Sequence, residues 1–329
     1  MKKSTIISLI VSVSLIFIGA FMFFCALYSV NFDFTKFDLN LASGNLYTTK
    51  TVEVDSFDSI YIDEKSIDII IAPADDDKAI VSCYDLEGVN RDVFVKDGVL
   101  NIVNSQAVTD ELLDMSVSTH NTNLTLYLPK AEYKDVVIIT ASSNVTVHKD
   151  LSLENVDIKV TSGDVLLTSS VKNKLKVDAN SGSVCLKDID CKQMFAFATS
   201  GDIEINQAKV LNDITLESTS GDITLNYIFP CKNMSTSLTS GDFYADNVVA
   251  SDSFKVKTTS GDTELVDSDS ESIDLESTSG DIDVALLSKK IIVTDTASGN
   301  VDVDPLAYDD TGKLSASTTS GDIKVKVQN

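Results

Sequence analysis

The chain has 329 residues and a formal charge of −24, from 50 acidic and 26 basic side chains. Phosphate contacts need clustered Lys and Arg, so this balance excludes a nucleic-acid partner and argues against adsorption to anionic lipid. Two His, and five Cys (Cys25, Cys83, Cys185, Cys191, Cys231) without a CxxC pair, remove most metal, redox and acid–base designs.

Lys2 and Lys3 precede an uncharged run from Ser4 to Phe32 that is rich in Ile, Leu and Phe. About 20 apolar residues suffice to cross a bilayer as a helix. The run exceeds the ~7–15 residues of a signal-peptide apolar region. Phe23-Phe24-Cys25-Ala26 offers neither a small-residue cleavage site nor a lipoprotein box. Residues 1–30 are therefore expected to be a cytoplasmic tip and a transmembrane helix, with 5–30 in the membrane, and residues 31–49 a polar tether. Lys2 and Lys3 place the N-terminus in the cytoplasm and the remainder outside it.

Residues 50–130 read as β-rich sheet that begins and caps a stack formed by the later residues. Ile67, Ile69 and Ile71 alternate with polar or outward positions, and so do Leu124, Leu126 and Leu128 before Pro129. Asp97-Gly98 between two alternating runs predicts a hairpin. Residues 104–120 show no period and read as a loop.

From 131 to 329 the chain repeats. Glycines recur at Gly163, Gly182, Gly201, Gly221, Gly241, Gly261, Gly280, Gly299 and Gly321, with spacings of 19, 19, 20, 20, 20, 19, 19 and 22. Ser precedes all nine, and Asp follows seven, Ser183 and Asn300 being the exceptions. Apolar residues occupy the positions two and four after each Gly and seven and five before it, with polar residues between. Period two marks strands with one buried face. Each unit reads as strand, Ser-Gly-Asp corner, strand, loop. Such a unit has no core of its own, and stacking gives it one. The expected fold is all-β: a single-stranded β-solenoid of about nine to ten coils of ~20 residues, behind a β-rich cap and one N-terminal transmembrane helix. The degenerate first coil carries Ser143 in the glycine position. The glycines are assigned a positive φ. Pro230 and Pro305 are placed in connecting loops.

A β-rich leader that ends in an alternating Leu strand and Pro129, followed by Ser-Gly-Asp-Ile coils, resembles the bacterial putative-adhesin domain of unknown function, related to the toast-rack solenoids of envelope-stress proteins. The resemblance spans roughly 50–329 and carries no catalytic residues. With the apolar run as its anchor, the chain is expected to be a single-pass bacterial cell-membrane protein with an extracytoplasmic domain. The expected role is a non-enzymatic adhesin or envelope-interaction module, contacting an envelope protein or a glycan. An accessory sensor of an envelope-stress system is the alternative.

No catalytic or cofactor site is expected: GxSxG, phosphate-loop and dinucleotide fingerprints are absent, and His120 and His148 have no nucleophile motif beside them. The Asp column, including Asp202, Asp222, Asp242, Asp262 and Asp281, is read as turn chemistry, each carboxylate accepting backbone N–H groups at its own corner. Ca²⁺ along that column is the minor reading. Phe195 and Phe197 fall in outward positions where other coils are polar, which makes them a candidate contact patch.

Overall fold

Short alternating runs separated by corners cannot close a core individually, and the chain solves this by stacking them. A computed structural model describes residues 47–86, 89, 91–104 and 122–327. The expected membrane anchor and most of the tether lie outside the described residues, as does nearly all of the 104–120 loop. Among the described residues no helix is long and apolar enough to cross a membrane.

The leader contains β1 (Tyr47–Val54), β2 (Ser59–Glu64), β3 (Asp68–Pro73), β4 (Ala79–Leu86), β5 (Arg91–Lys96), β6 (Val99–Asn104) and β7 (Asn123–Leu128). Coils follow as β8 (Glu132–Ser142) with β9 (Val145–Val147), β10 (Ser152–Ser162) with β11 (Val165–Leu167), and β12 (Val171–Ser181) with β13 (Val184–Cys191). Next come β14 (Gln193–Ser200), β15 (Ile203–Val210), β16 (Asp213–Ser220), β17 (Ile223–Ser240), β18 (Phe243–Ser260) and β19 (Thr263–Ser268). The last are β20 (Ser272–Ser279), β21 (Ile282–Leu286), β22 (Lys290–Ser298), β23 (Val301–Val303), β24 (Tyr308–Ser320) and β25 (Ile323–Val327).

Strands before the corner pair in parallel with their equivalents one coil away, and strands after it do the same. The register matches equivalent residues, for example Val177 with Ala196 and Leu186 with Ile205. The alternation predicted from sequence is the alternation observed. Ile158, Val177, Leu216, Leu225 and Ile282 point into one continuous core, as do Ile69, Ile71, Leu124 and Leu126 of the leader. The Asp97-Gly98 hairpin forms as expected, with φ of 52° and 80° and β5 antiparallel to β6.

The order of coils in space departs from the order in sequence at both ends. β24 lies between β20 and β22, and β25 lies between β21 and β23. The coil 290–303 therefore ends the stack, although 308–327 comes after it in the chain. At the other end β2 lies between β6 and β8, and β3 between β7 and β9, so the earliest coil is an inner layer. β4 runs antiparallel to β7, and β1 antiparallel to β4, closing that end with a change of direction.

The segment read as a loop is, in the middle coils, a third side. Six residues after the corner glycine the chain turns at Asp188, Gln207, Tyr227, Asn247 and Asp267, all with φ between 47° and 58°. It then pairs again, Ile189 with Ala208 and Cys191 with Val210. Ile228 pairs with Val248, and these side chains enter the core. Pro230 accordingly sits inside β17 rather than in a loop, at a shift of register between Ile228 and Cys231. Pro305 opens a short 3₁₀ turn, Pro305–Ala307, that carries the chain back from β23 to β24.

All nine corner glycines have φ between 130° and 158°. At Gly221 a Cβ would lie 2.2 Å from the Gly201 carbonyl oxygen, so the demand for glycine is steric as well as conformational. At Gly98 a Cβ would meet only the Asp58 carboxylate, at 3.6 Å. Gly221→Ala is expected to cost about 2–5 kcal/mol, from a backbone penalty of about 1–2 and overpacking of about 1–3. Gly98→Ala should cost only about 1–2 kcal/mol, and equilibrium denaturation of both variants checks the difference.

Candidate functional site

Three features stand out from the repeat: a ladder of carboxylates at the corners, an exposed aromatic strip on the third side, and a buried ion network in the leader.

The ladder works between coils. Asp222 N–H donates to Asp202 Oδ1 at 2.9 Å, Asp242 N–H to Asp222 Oδ1 at 2.8 Å, and Asp262 N–H to Asp242 Oδ1 at 2.8 Å. Asp281 N–H continues the row to Asp262 Oδ1 at 2.8 Å. This corrects the expectation that each Asp serves its own corner: the extended glycine corner turns the next coil's N–H towards the carboxylate. The row follows space and not sequence, since Asp322 donates to Asp281, and Asp322 Oδ1 accepts from Asn300 at 2.7 Å. Asn300 lies on the last coil, beyond which no further coil among the described residues presents an N–H. Asn144, inside the row, does present an acceptor, its Oδ1 receiving Asp164 N–H at 2.9 Å. Ser183 N–H donates to Asp164, and Ser183 interrupts the row beyond it. One oxygen of each of these carboxylates is thus occupied by backbone. Among the described residues no group of three or more His, Cys, Asp or Glu is placed to hold a metal ion.

Phe195 and Phe197 stand in the outward row, opposite Lys176 and Asp178 of β12 and Thr215 and Glu217 of β16. Both are half-buried. Lys174 Nζ lies 5.1 Å from the Phe195 ring centre and Lys176 Nζ 5.8 Å from that of Phe197. The rings are therefore partly covered by cations of the neighbouring coil, a contact worth about 0.5–1 kcal/mol at the surface.

More exposed aromatics sit elsewhere, on the third side. Tyr227 and Phe229 are 52% and 43% exposed, and Leu211 on the preceding coil is 52% exposed. With Asp188, Asp190, Gln207 and Lys209 the two rings line a shallow groove of about 300 Å³. Tyr227 holds φ of 58°, a conformation that a residue other than Gly, Asn or Asp adopts at a cost. Sequence columns that stop four residues after the glycine miss this face. Its signal is the apolar pair at seven and nine residues, Ile189/Cys191, Ala208/Val210 and Val248/Ala250.

In the leader, Arg91 Nε lies 2.6 Å from Glu64 Oε1, and a terminal Arg91 nitrogen lies 2.7 Å from Asp85 Oδ2. Arg91 also donates to Cys83 Sγ at 3.2 Å. Burial pushes the Glu64 carboxyl above the usual carboxylate range, against the pull of Arg91. Burial likewise pushes the Cys83 thiol up to about 11, and those of Cys191 and Cys231 up to about 12, so these cysteines are held as thiols. The network pins β2, β4 and β5 together and has the character of a structural clamp.

A family model described as Toastrack DUF4097 matches residues 57–228 and again 207–329. The chain belongs to this family. Two overlapping placements of one model are what a repeating Toastrack stack produces. A solved structure shares the fold: a "putative adhesin" from Parabacteroides distasonis is 16% identical, with TM-score 0.52, covering 85% of this chain and 97% of its own. A "putative adhesin" from Bacteroides fragilis is 13% identical with TM-score 0.42, covering 86% of this chain and 98% of its own. A "putative lipid binding protein" from Parabacteroides distasonis is 15% identical with TM-score 0.44, covering 87% and 98%. No curated protein matches the chain.

The ladder and the clamp of this Toastrack chain respond differently to substitution. Asp222→Ala should lose about 1.5–3 kcal/mol, the range for a hydrogen bond to a charged group, whereas Asp222→Asn keeps an acceptor and stays within about 0.5 kcal/mol of the parent in denaturant titration. Arg91→Met leaves Glu64 buried without its partner and should cost about 3–5 kcal/mol near neutral pH. The folded state binds the Glu64 proton more tightly than the unfolded chain, so this contribution to stability falls as pH rises through the raised carboxyl range. Removing Arg91 raises the carboxyl further, and the deficit of the variant should shrink as the pH is lowered from neutral towards acid, as thermal unfolding over that range will show.

Proposed function

We propose that the chain is a non-enzymatic, membrane-anchored, extracytoplasmic contact module of the bacterial cell envelope, and that it docks a glycan on its third side. One observation carries this reading. Tyr227 and Phe229 are exposed together beside Asp188, Gln207 and Lys209, over a groove open along its length. Sugar rings present apolar C–H faces and a rim of hydroxyls. Aromatic faces take the first, and carboxylate, amide and ammonium groups take the second. Parallel pairing of equivalent strands holds the groove on fixed backbone, so little ordering cost attaches to binding.

The adhesin reading has support at the level of fold from the Parabacteroides distasonis structure, which carries that name. The anchor rests on the apolar run of residues 5–30, with Lys2 and Lys3 in the cytoplasm. No cofactor is needed for docking of this kind.

Glycan-array binding of the full chain in detergent is the test. Tyr227→Ala and Phe229→Ala are each expected to weaken the best glycan by roughly tenfold, the equivalent of about 1.4 kcal/mol of ring contact. Phe94→Ala, at an exposed ring in the leader, should leave binding unchanged. Binding that survives both third-side substitutions, or no glycan bound at all, removes the proposal.

A further inference from the structure

The stack ends on β22, and the edge of that strand is built to meet a copy of itself. Among the described residues β22 pairs only with β24, and β23 only with β25. Ser298 gives its carbonyl to Gly321 N–H at 3.0 Å, so the even-numbered residues of β22 face β24. Alternation then turns the backbone N–H and C=O of Ile291, Val293 and Asp295 towards the unpaired edge.

The side chains on the outer face of this edge are unusual for a solvated strand. Ile291 is 48% exposed and Val293 50% exposed, and Val301 on β23 is 47% exposed. Edges left open in this way template pairing unless a charge or Pro blocks them. The charges present, Lys289 and Asp295, flank the apolar pair symmetrically and carry opposite signs.

We propose that two copies of this chain join end to end through antiparallel pairing of β22 with β22 about a two-fold axis at Ile292. A two-fold requires self-complementarity, in which a residue that meets another is met by it in turn. Only registers that place odd residues opposite odd residues satisfy the edge hydrogen bonds. With Ile292 on the axis, Ile291 meets Val293 of the second copy and Val293 meets its Ile291. Lys289 meets Asp295, and both of these contacts occur twice. Moving the axis to Val293 would set Ile291 against Asp295 and Lys289 against Ala297, losing both the apolar and the ionic match. Ile292, half-buried at the open end, would then meet its own copy and continue the core across the junction. This inference is independent of the glycan reading.

Cysteine cross-linking of the full chain tests it. A non-hydrogen-bonded antiparallel pair sets Cα atoms about 4.5 Å apart, within disulfide reach. Ile292→Cys should therefore give a disulfide-linked dimer under mild oxidation, above the background of the unsubstituted chain. Lys257→Cys, on an outer face, should not. Lys289→Glu or Asp295→Lys in the Ile292→Cys background should each lower cross-linking roughly five- to tenfold, since each reverses a pair that occurs twice. The double exchange, Lys289→Glu with Asp295→Lys, should restore it. Light scattering of the full chain in detergent should show twice the chain mass at high concentration, reduced to one by Val293→Lys. A monomer at every concentration, or a dimer insensitive to these charges, overturns the inference.

Discussion

The structure depends on one close approach. At each corner a glycine lies against the carbonyl of the corner in the neighbouring coil, so near that a Cβ would fall 2.0–2.3 Å from the oxygen. No side chain fits there, and no sliding of one coil over the next is possible without losing the contact. The glycine N–H bonds the serine carbonyl of one neighbouring coil, and the aspartate beside the glycine accepts a backbone N–H from the next aspartate in the row. Register is fixed at that line. In strands of period two a slip of one residue would turn every inward side chain to solvent, so the corner protects the core as well as the turn. Variation in repeat length, from 19 to 22 residues, is absorbed away from the corner, on the third side and in the closing connections.

The same line explains one exception in the repeat, Asn300. An acceptor at the position after glycine is useful only when another coil lies beyond it. The coil 290–303 is last in space, and it carries Asn300; the coil 308–327 is internal, and it carries Asp322. The inner coil also has Ala316 in the core position where the outer one has Thr294. At this one core position the apolar residue takes the buried place and the polar residue the end, as in a capping repeat. The leader is arranged in the same way, with Ile60, Ile62, Ile69 and Ile71 buried in an inner layer and the antiparallel strands outside them.

Most of the fold was legible because the repeat is a strict code. Nine glycines, two apolar columns on either side and the Asp97-Gly98 hairpin each correspond to a feature that the chain forms. The spatial exchange of the last two coils was not legible, since either order buries the same columns. What distinguishes them at the corner is the pair Asn300 and Asp322, whose meaning appears only once the ladder is known to run between coils. The ion network around Arg91 was hidden for a different reason: Glu64, Asp85 and Arg91 belong to no period. The third side was legible in principle. Its apolar positions repeat every 19 or 20 residues, but Cys, Ala and Val make a faint column beside the Ile and Leu of the other two.

That faintness has a physical origin, and it bears on where function resides. The corner and the two columns are constrained by contacts on every coil, so their residues carry little beyond structure. The third side is held by fewer pairings and tolerates chemistry that the rest cannot. Its turn is made by Asp188, Gln207, Tyr227, Asn247 and Asp267, five residues of four kinds sharing one backbone conformation. Asp and Asn suit a left-handed turn, and Tyr does not. A tyrosine kept there, exposed and beside a second aromatic, gains nothing for the stack that asparagine would not supply better. Strain of this sort persists where the surrounding structure enforces it and where the side chain has a use. The stack supplies the enforcement through the parallel pairing of Ala208 with Ile228 and of Ile228 with Val248 on either side of the turn. In the contact reading proposed above, that use is what the exposed ring can touch, since the stack presents a strained aromatic over a polar groove on a rigid frame.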